Sequence, residues 1–507
     1  MVEEDQMLKE RWTALKKKVT NNPSFTVKEQ LGYAGGVFGN EMGQDSVNTF
    51  SDKFFRDFMG IENRLMTIMG NAFTAFGLLI APIAGNVVDT PVPLNRRTPT
   101  KTVLLYAPVP FAVASMLLFV VPFHQSFYNF LWTLIIKLIY NAADAFYDTS
   151  LTAMSLRMTT DAKDRKNFFT LATLAQALGS MLPGWLIPLV VGSAKTPSGK
   201  QSGYFFVALV FCILGLAAMY GPYFTLTEKL RVEKRPDKAK INWDRKTLAT
   251  VLHSRSFVTV QIGNFFEQIR QLSYKLLPYI YEDCFGDYKM KAVIDAVSGT
   301  LSYAGLAAVP VLNSRFSART VMSGSYAFTG LFYSAMALFG LKYKTEKIRK
   351  YRWLIGLLIG ISGMPNNAVI ASKKVLIGDA TDYMEWYSTK EFGTPIRSEG
   401  LISTTQSILG TAYNFIRTNF YNISFERIHY NEGASGTGVE QTPQTLRGLF
   451  LMFTLCGVFG NLCAAGTYLF DNFTGKRKAA IMAELEAFRA KREEFRESLE
   501  ENECEDR

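Results

Sequence analysis

The sequence predicts an all-α membrane protein of about twelve transmembrane helices, arranged as two pseudo-symmetric six-helix bundles. Apolar stretches of roughly 20 residues recur along the chain, and an α-helix needs that length to cross a hydrocarbon core of ~30 Å. Charged residues make up only 20% of the 507 residues and are clustered between the apolar stretches. A soluble helical protein of this length would spread its charges evenly over its wet faces, so the pattern argues against that class.

The predicted spans begin after a charged N-terminal arm and continue almost to the end of the chain. They cover residues 31–58, 64–88, 101–121, 126–156, 167–191, 203–225, 255–283, 291–312, 319–340, 350–378, 397–425 and 445–471. The segments 103–122, 203–225, 320–340 and 448–470 are plainly apolar. Spans one, four, seven and eleven carry many polar residues, and we expect these four to line a wet interior.

A long basic segment, TEKLRVEKRPDKAKINWDRK at 227–246, divides the spans six and six. The predicted organisation is an N-terminal arm (1–30), a first bundle (31–225), a linker (226–252), a second bundle (253–471) and a tail (472–507). Paired six-helix halves around a central site are a common design of secondary transporters. Apolar residues at 481, 485, 488, 495 and 499 predict an amphipathic helix in the tail. We expect transport to survive truncation after Lys478.

The net charge of +11 is distributed over alternate loops, which fits membrane topology better than nucleic-acid binding. We expect the chain to lie in the plasma membrane, and the positive-inside rule then places both of its termini in the cytoplasm. The basic loop at 341–352 falls on the other side and breaks the rule. The charged first thirty residues lack the apolar region of a signal peptide.

Several function classes lack their sequence signatures. Neither Gly-Lys pair has the upstream glycine of a phosphate-binding loop, and the three His residues form no HExxH motif, so we expect neither an ATP-driven pump nor an enzyme. The five Cys residues are scattered without CxxC spacing, so we expect no metal site, disulfide or cofactor. A channel would not need the two-fold halves.

Span one carries the first polar constellation. Glu41 and Asp45 are four residues apart and share a helix face with Asn48, while Asn40 and Gln44 flank them. A carboxylate inside a membrane is costly unless it is paired or hydrated, so such residues often mark a transport pathway. The alternative for Asp45 is simple hydration near the outer end of the span.

Span four carries the second constellation. Lys137, Asp144 and Asp148 lie on one stripe of the helix, with Tyr140 and Tyr147 close to it. Carboxylates that accept hydrogen bonds from hydroxyl pairs, beside an aromatic face, suit the binding of a sugar ring. The same carboxylates could instead hold a cation or a proton, and Lys137 could form a structural ion pair.

Span seven carries Glu267, Arg270 and Lys275. The spacing of Glu267 and Arg270 predicts an internal ion pair. An anionic cargo becomes plausible if Arg270 or Lys275 is left unpaired in the cavity.

Two stretches resemble motifs of known transporters. Asp89 followed by Arg96 and Arg97 resembles the charged loop after the second helix of the major facilitator superfamily, where such residues form a latch. The runs DATDYME at 379–385 and RSEG at 397–400 resemble the D-x-x-D-Y and R-x-E-G patterns of the glycoside–pentoside–hexuronide:cation symporters, the family of melibiose permease. We therefore expect a cytoplasmic gate that holds the outward-open state, formed by Asp89, Arg96, Arg97, Asp379, Asp382, Tyr383, Glu385 and Arg397.

This resemblance extends from about residue 30 to residue 471 and implies the major facilitator fold and sugar transport coupled to a cation. In the family's pattern, Glu41 and Asp144 occupy the places of the sugar-binding acids, and Thr173 stands where the family has an arginine. Gly77 and Ala81 stand where it has two cation-binding aspartates. We therefore interpret Asp45 and Asp148 as ion-coupling residues. The expected substrate-binding residues are Glu41, Asp144, Tyr147, Asn40 and Thr173.

The predicted function is symport of a sugar or glycoside with H+ or Na+ by alternating access. The expected partners are that small molecule, the co-transported ion and membrane lipid, with the chain acting as a monomer and without nucleic acid. The alternatives are a transporter of the same fold with a non-sugar or lipid-like cargo, and an uncoupled facilitator.

Overall fold

The computed structural model describes residues 26–88, 98–158, 162–226, 253–393 and 399–505. Every regular element in these residues is helical, with twelve helices of membrane-spanning length followed by one helix in the tail. The predicted all-α fold of about twelve helices is therefore confirmed. The N-terminal arm through residue 25 and the linker at 227–252 lie outside the described residues, so the predicted domain boundaries stay predictions.

The first half of the chain contributes six long helices, and the second half contributes six more and the tail helix. The first six are α1 (Val27–Asp57), α2 (Asn63–Val88), α3 (Pro99–Leu117), α4 (Ser126–Met158), α5 (Ala162–Val191) and α6 (Pro197–Thr225). The others are α7 (Arg255–Tyr279), α8 (Lys289–Arg315), α9 (Ala318–Lys342), α10 (Arg352–Phe392), α11 (Glu399–Arg427), α12 (Pro443–Leu469) and the tail helix α13 (Gly475–Glu505). Short helices at Thr345–Lys350 and Ala434–Thr437 lie between α9 and α10 and between α11 and α12.

Three of these helices are interrupted next to a proline. The segments are Pro99–Tyr106 and Pro108–Leu117 in α3, Pro197–Met219 and Gly221–Thr225 in α6, and Arg352–Ser362 and Asn366–Phe392 in α10. Proline has no backbone N–H and cannot continue the hydrogen-bond ladder of the preceding turn. A π-helical turn at Ile280–Cys284 extends α7 directly after Pro278.

Hydroxyl side chains fix where many of the helices begin. The Thr26 hydroxyl accepts a hydrogen bond from the backbone of Glu29, and the Glu29 carboxylate accepts one from the backbone of Thr26. This reciprocal cap satisfies two donors that the helix cannot satisfy itself. Single-residue caps of the same kind begin other helices, at Thr98, Thr196, Ser254, Ser317 and Thr442.

By length and composition, seven of the described helices are apolar enough to cross a membrane: α2, α3, α5, α6, α8, α10 and α12. Spans one, four, seven and eleven, which the sequence predicted to be polar, are indeed absent from this group. α9 is also absent from this group. Three Ser and two Thr residues lower its apolar character. Span ten was predicted too short, since α10 continues to Phe392.

Glycines bring α1 and α5 into close contact. A Cβ atom added at Gly179 of α5 would lie 2.6 Å from the carbonyl oxygen of Phe38 and 3.2 Å from the Cβ of Glu41. No side chain fits at that distance, so glycine is required for this approach. The same close packing sets the position of Glu41 relative to α5.

The two halves contact each other near one end of the bundle. We call the end that carries α13 the tail end, and the opposite end the distal end. At the distal end, Asn419 of α11 donates to Asn71 of α2 at 2.9 Å, and the methyl group of Thr418 fills the space beside Gly70. Toward the tail end, a Cβ atom added at Gly77 of α2 or Gly410 of α11 would meet nothing within 4 Å. Among the described residues, α2 and α11 therefore contact each other at the distal end and leave open space beside both glycines toward the tail end.

Candidate functional site

A cavity of about 380 Å³ lies between the halves and is lined by both of them. The first half contributes Asn48, Asp52, Lys137, Asn141 and Asp144, and the second contributes Lys275, Asn414 and Arg417. The lining is rich in amides and charges, which are costly in lipid and are expected in a membrane protein where they face water or a polar cargo.

Asp144 of α4 is fixed at the edge of this cavity by a hydrogen bond from α1. The side-chain amide of Gln44 donates to its carboxylate at 2.7 Å. Asn40 lies one turn before Gln44 on the same helix face, and its side chain is only 5% exposed. The amide oxygen of Asn40 has no hydrogen-bond partner in the described part of the chain. A buried acceptor without a donor is costly, so this atom has unused hydrogen-bonding capacity.

Glu41 makes the corresponding contact with α5, where the side-chain amide of Gln176 donates to its carboxylate at 3.1 Å. Asp45, one turn further along α1, accepts a hydrogen bond from Thr49 at 3.0 Å. Asp148 is exposed on α4. The carboxylates of Glu41, Asp45, Asp144 and Asp148 are close enough for Glu41 to experience the negative charge of the other three. The structure therefore brings together the four acids that the sequence singled out on separate helices.

Two other predicted binding residues are placed differently. Tyr147 is completely buried, and its hydroxyl donates to the carbonyl oxygen of Met219 at 2.9 Å. This contact joins α4 to α6 inside the first half, so Tyr147 does not line the cavity. Thr173 lies exposed on α5, three residues before Gln176. The sequence suggested a sugar-stacking role for Tyr147, but the periodicity could not show which side of α4 faces the cavity.

The three charged residues singled out in span seven are all paired in the structure, as the sequence predicted for two of them. The predicted Glu267–Arg270 ion pair is confirmed at 3.3 Å, and Lys373 of α10 also contacts Glu267 at 2.8 Å. Lys275 is paired as well, with Asp52 of α1 at 3.0 Å. Neither Arg270 nor Lys275 is therefore a free cation.

The sequence reasoning missed Asp52 and Arg417. Asp52 continues the α1 stripe of Asp45 and Asn48 by one more turn, so extending the same helix-face count would have found it. Arg417 of α11 donates to Gln268 at 2.7 Å and to Asn414. Among the described residues, Arg417 and Lys137 form no ion pair with a carboxylate.

The sequence also missed the charge cluster that closes the distal end. The buried ammonium of Lys53 in α1 lies 2.7 Å from Asp57 of the same helix and 3.0 Å from Asp283 after α7. Tyr430 donates to Asp57 at 2.7 Å and to Asp283 at 3.0 Å. Asp57, Asp283 and Glu282 are the acids in the described residues whose spacing would suit a metal ion, but Lys53 already provides their positive charge.

The predicted gate residues that the structure describes contact the tail helix. Lys478 donates to both carboxylate oxygens of Asp379 at 2.7 Å. Arg489 contacts Asp382 at 2.8 Å and Glu385 at 2.6 Å. Tyr383 packs edge-on against Phe473, with ring centres 5.5 Å apart. The other predicted gate residues, Asp89, Arg96, Arg97 and Arg397, lie outside the described residues, so the expected contact between the halves stays a prediction.

Comparison with known proteins identifies similar chains over most of this length. The chain is 23% identical over 382 residues to the uncharacterized symporter YjmB of Bacillus subtilis, which covers 73% of this chain and 78% of that protein. It is 20% identical over 387 residues to the isoprimeverose transporter of Lactiplantibacillus pentosus, covering 75% and 76%.

Among solved structures, a bacterial homologue of the human lysosomal transporter Spinster has the same fold. Its TM-score is 0.58 at 12% identity, over 88% of this chain and 96% of that one. The sequence profile of the family described as "MFS/sugar transport protein" matches residues 32–472. This chain therefore belongs to the MFS/sugar transport protein family.

Proposed function

We propose that this chain is a symporter that moves a sugar or glycoside together with H+ or Na+ by alternating access. The observation that carries the proposal is the pair of acid–amide contacts, Asp144 with Gln44 and Glu41 with Gln176, beside a polar cavity between two six-helix halves. The two similar proteins, one named as a symporter and the other as an isoprimeverose transporter, support it.

The proposed sugar site uses Asp144, Gln44, Asn40 and Glu41. A carboxylate that accepts hydrogen bonds from two sugar hydroxyls gains roughly 1.5–3 kcal/mol for each. The unpaired amide oxygen of Asn40 adds an acceptor on the same face of α1. Thr173 lies on α5 three residues before Gln176, which itself contacts Glu41. Thr173 is therefore further from Glu41 along the helix than Gln176 is, and it has a supporting role in this proposal.

Asp45 and Asp148 are the proposed ion-coupling residues. Both lie within one turn of a proposed sugar-binding acid, so binding of a proton or cation there changes the charge that the sugar site experiences. Asp45 also experiences the charges of Lys291 and Asp295 on α8, across the interface between the halves. Ion binding at Asp45 would therefore alter an interaction that changes when the halves move.

We further propose that the tail end faces the cytoplasm and that the chain lies in the plasma membrane. The basic loops predicted by the positive-inside rule support this orientation. The described conformation would then be open to the cytoplasm and closed toward the outside. The cluster around Lys53 would serve as the outer gate, and Asp379, Asp382, Tyr383 and Glu385 as part of the inner one.

A cargo with an acid group is a second candidate. Lys137 and Arg417 line the cavity, and within the described residues neither forms an ion pair with a carboxylate. Burying a cation without a counter-charge is costly, and a cargo carboxylate would provide that charge. The same polar and charged lining makes a lipid-like cargo a poor fit.

The test measures binding of matched sugars to the purified protein. Each neutral hexose or pentoside is compared with its acid form, and each measurement is made with and without Na+ and at two pH values. A sugar that binds to the wild type and at least tenfold more weakly to Asp144→Asn supports the proposal. Binding of an acid sugar that weakens in Arg417→Gln, while its neutral form is unaffected, favours the second candidate. Failure of every sugar to bind would contradict both.

A further inference from the structure

The tail helix α13 is docked on the extension of α10 by an apolar contact. Leu485 is completely buried and Ile481 is 6% exposed, although both belong to a helix at the end of the chain. Ile481 packs in a cluster with Tyr383 and Phe473. The amphipathic tail helix that the sequence predicted is thus present, and its apolar face covers one of the predicted gate residues.

Charged contacts on both sides of this apolar face fix its register. Lys478 binds Asp379, and Arg489, about three turns further along α13, binds Asp382 and Glu385. In a neighbouring contact the acid is on α13 instead: Trp386 of α10 donates a hydrogen bond to Glu484 of α13 at 2.8 Å. Basic and acidic groups on α13 therefore meet complementary groups on α10, which a loosely attached tail would not achieve.

These contacts engage the acids of the DATDYME run while the tail end of the bundle is open. For the tail end to close, this surface of the second half must approach the first half, whose sequence between α2 and α3 includes the basic run LNRRTPTK at 94–101. The same carboxylates cannot give their full attraction to Arg489 and to a second set of cations at once. We expect the tail and this basic run of the opposite half to compete for them.

We propose that α13 is an autoinhibitory clamp: by holding Asp382 and Glu385, it favours the state that is open at the tail end and slows the return to the distal-open state. The inference rests on the alternating access of the proposed function. It adds a regulatory role for the tail. If closure of the tail end is the slow step of the transport cycle, release of the clamp would accelerate transport.

The test uses the accessibility of a cysteine at Gly77, a cavity-lining position where an added Cβ meets nothing within 4 Å. In full-length protein with Cys463→Ser and Cys504→Ser, Gly77→Cys is labelled by a membrane-impermeant maleimide applied from the tail side. Arg489→Ala removes the ion pairs of the clamp, and Leu485→Asp independently disrupts its apolar contact. Lys491→Ala is the matched control, because it removes a positive charge from an exposed position of the same helix.

We expect Arg489→Ala and Leu485→Asp each to lower the labelling rate by about threefold, as loss of a partly exposed pair would shift the equilibrium. Lys491→Ala should label like the wild type. Unchanged labelling in both clamp variants, or an equal decrease in the control, would overturn the proposal. The readout needs no cargo, so its failure is distinguishable from failure of the symport proposal, which the sugar-binding measurement tests separately.

Discussion

Replacement of Lys53 by methionine is expected to open the distal end of the protein. The side chain of Lys53 is completely buried, and its ammonium lies 2.7 Å from Asp57, 3.0 Å from Asp283 and 3.6 Å from Glu282. Methionine keeps most of the volume but removes the cation that Asp57 and Asp283 share, while Glu282 keeps its ion pair with Lys200 at 2.8 Å. The variant should therefore destabilise the conformation in which these acids are held together.

The expected size follows from which of these pairs cross between the halves. Removing one partner of a buried ion pair costs about 3–5 kcal/mol. The pair with Asp57 lies within α1 and persists when the halves move, whereas the pairs with Asp283 and Glu282 exist only in the distal-closed state. If half of the cost falls on the crossing pairs, that state loses about 2 kcal/mol, which shifts the equilibrium about 30-fold toward the distal-open state.

The assay is maleimide labelling of Gly77→Cys from the distal side, in the same cysteine background as for the tail helix. Lys53→Met should raise the labelling rate by about 30-fold if distal opening limits access. Arg270→Met is the control, because Arg270 is also buried but its ion pair with Glu267 lies within the second half. Unchanged labelling in a Lys53→Met protein of normal melting temperature, or an equal rise in the control, would refute the reasoning.

Three further predictions concern the first half. Asp144→Asn should weaken sugar binding at least tenfold, about 1.4 kcal/mol, because it removes a charge-assisted contact; titration of purified protein checks this, and wild-type affinity would contradict it. Asp148→Asn should retain sugar exchange in proteoliposomes and lose accumulation against a gradient; accumulation at the wild-type level would remove Asp148 from coupling. Tyr147→Phe should lower the free energy of unfolding by about 1 kcal/mol, since the buried carbonyl of Met219 loses its donor. Its sugar affinity should stay normal in the same titration, and a tenfold weaker affinity would return Tyr147 to the sugar site.

The sequence predicted the helices well because span length and charge clustering follow directly from the membrane. The polar character of spans one and four was also correctly interpreted, since a stripe of acids on one helix face can be counted from the sequence. Glu41 and Asp144 were located by this means, and the structure shows their amide partners, Gln176 and Gln44, on neighbouring helices. Gln44 had been noted on span one, but its pairing with span four depends on helix packing.

Features that depend on tertiary contact could not be predicted in this way. The side of α4 that carries Tyr147 faces α6, and only the packing of these helices decides that orientation. The cluster around Lys53 joins residues more than 200 positions apart, with no local pattern to connect them. The contacts of the DATDYME acids with the tail helix could not be predicted either, because spacing identifies the charged face of α10 and leaves its partner open.

The central claim is that the cavity beside Asp144 binds a sugar whose transport is driven by a cation gradient. The most direct measurement is uptake of a radiolabelled sugar, identified by the binding panel, into proteoliposomes with an imposed Na+ or proton gradient and again after an ionophore dissipates it. The proposal predicts that the sugar accumulates above its external concentration with one of the gradients and only equilibrates without it. In Asp144→Asn it predicts neither accumulation nor equilibration. Equal uptake with and without either gradient would contradict coupling, and gradient-driven accumulation by Asp144→Asn at the wild-type level would contradict the assigned site.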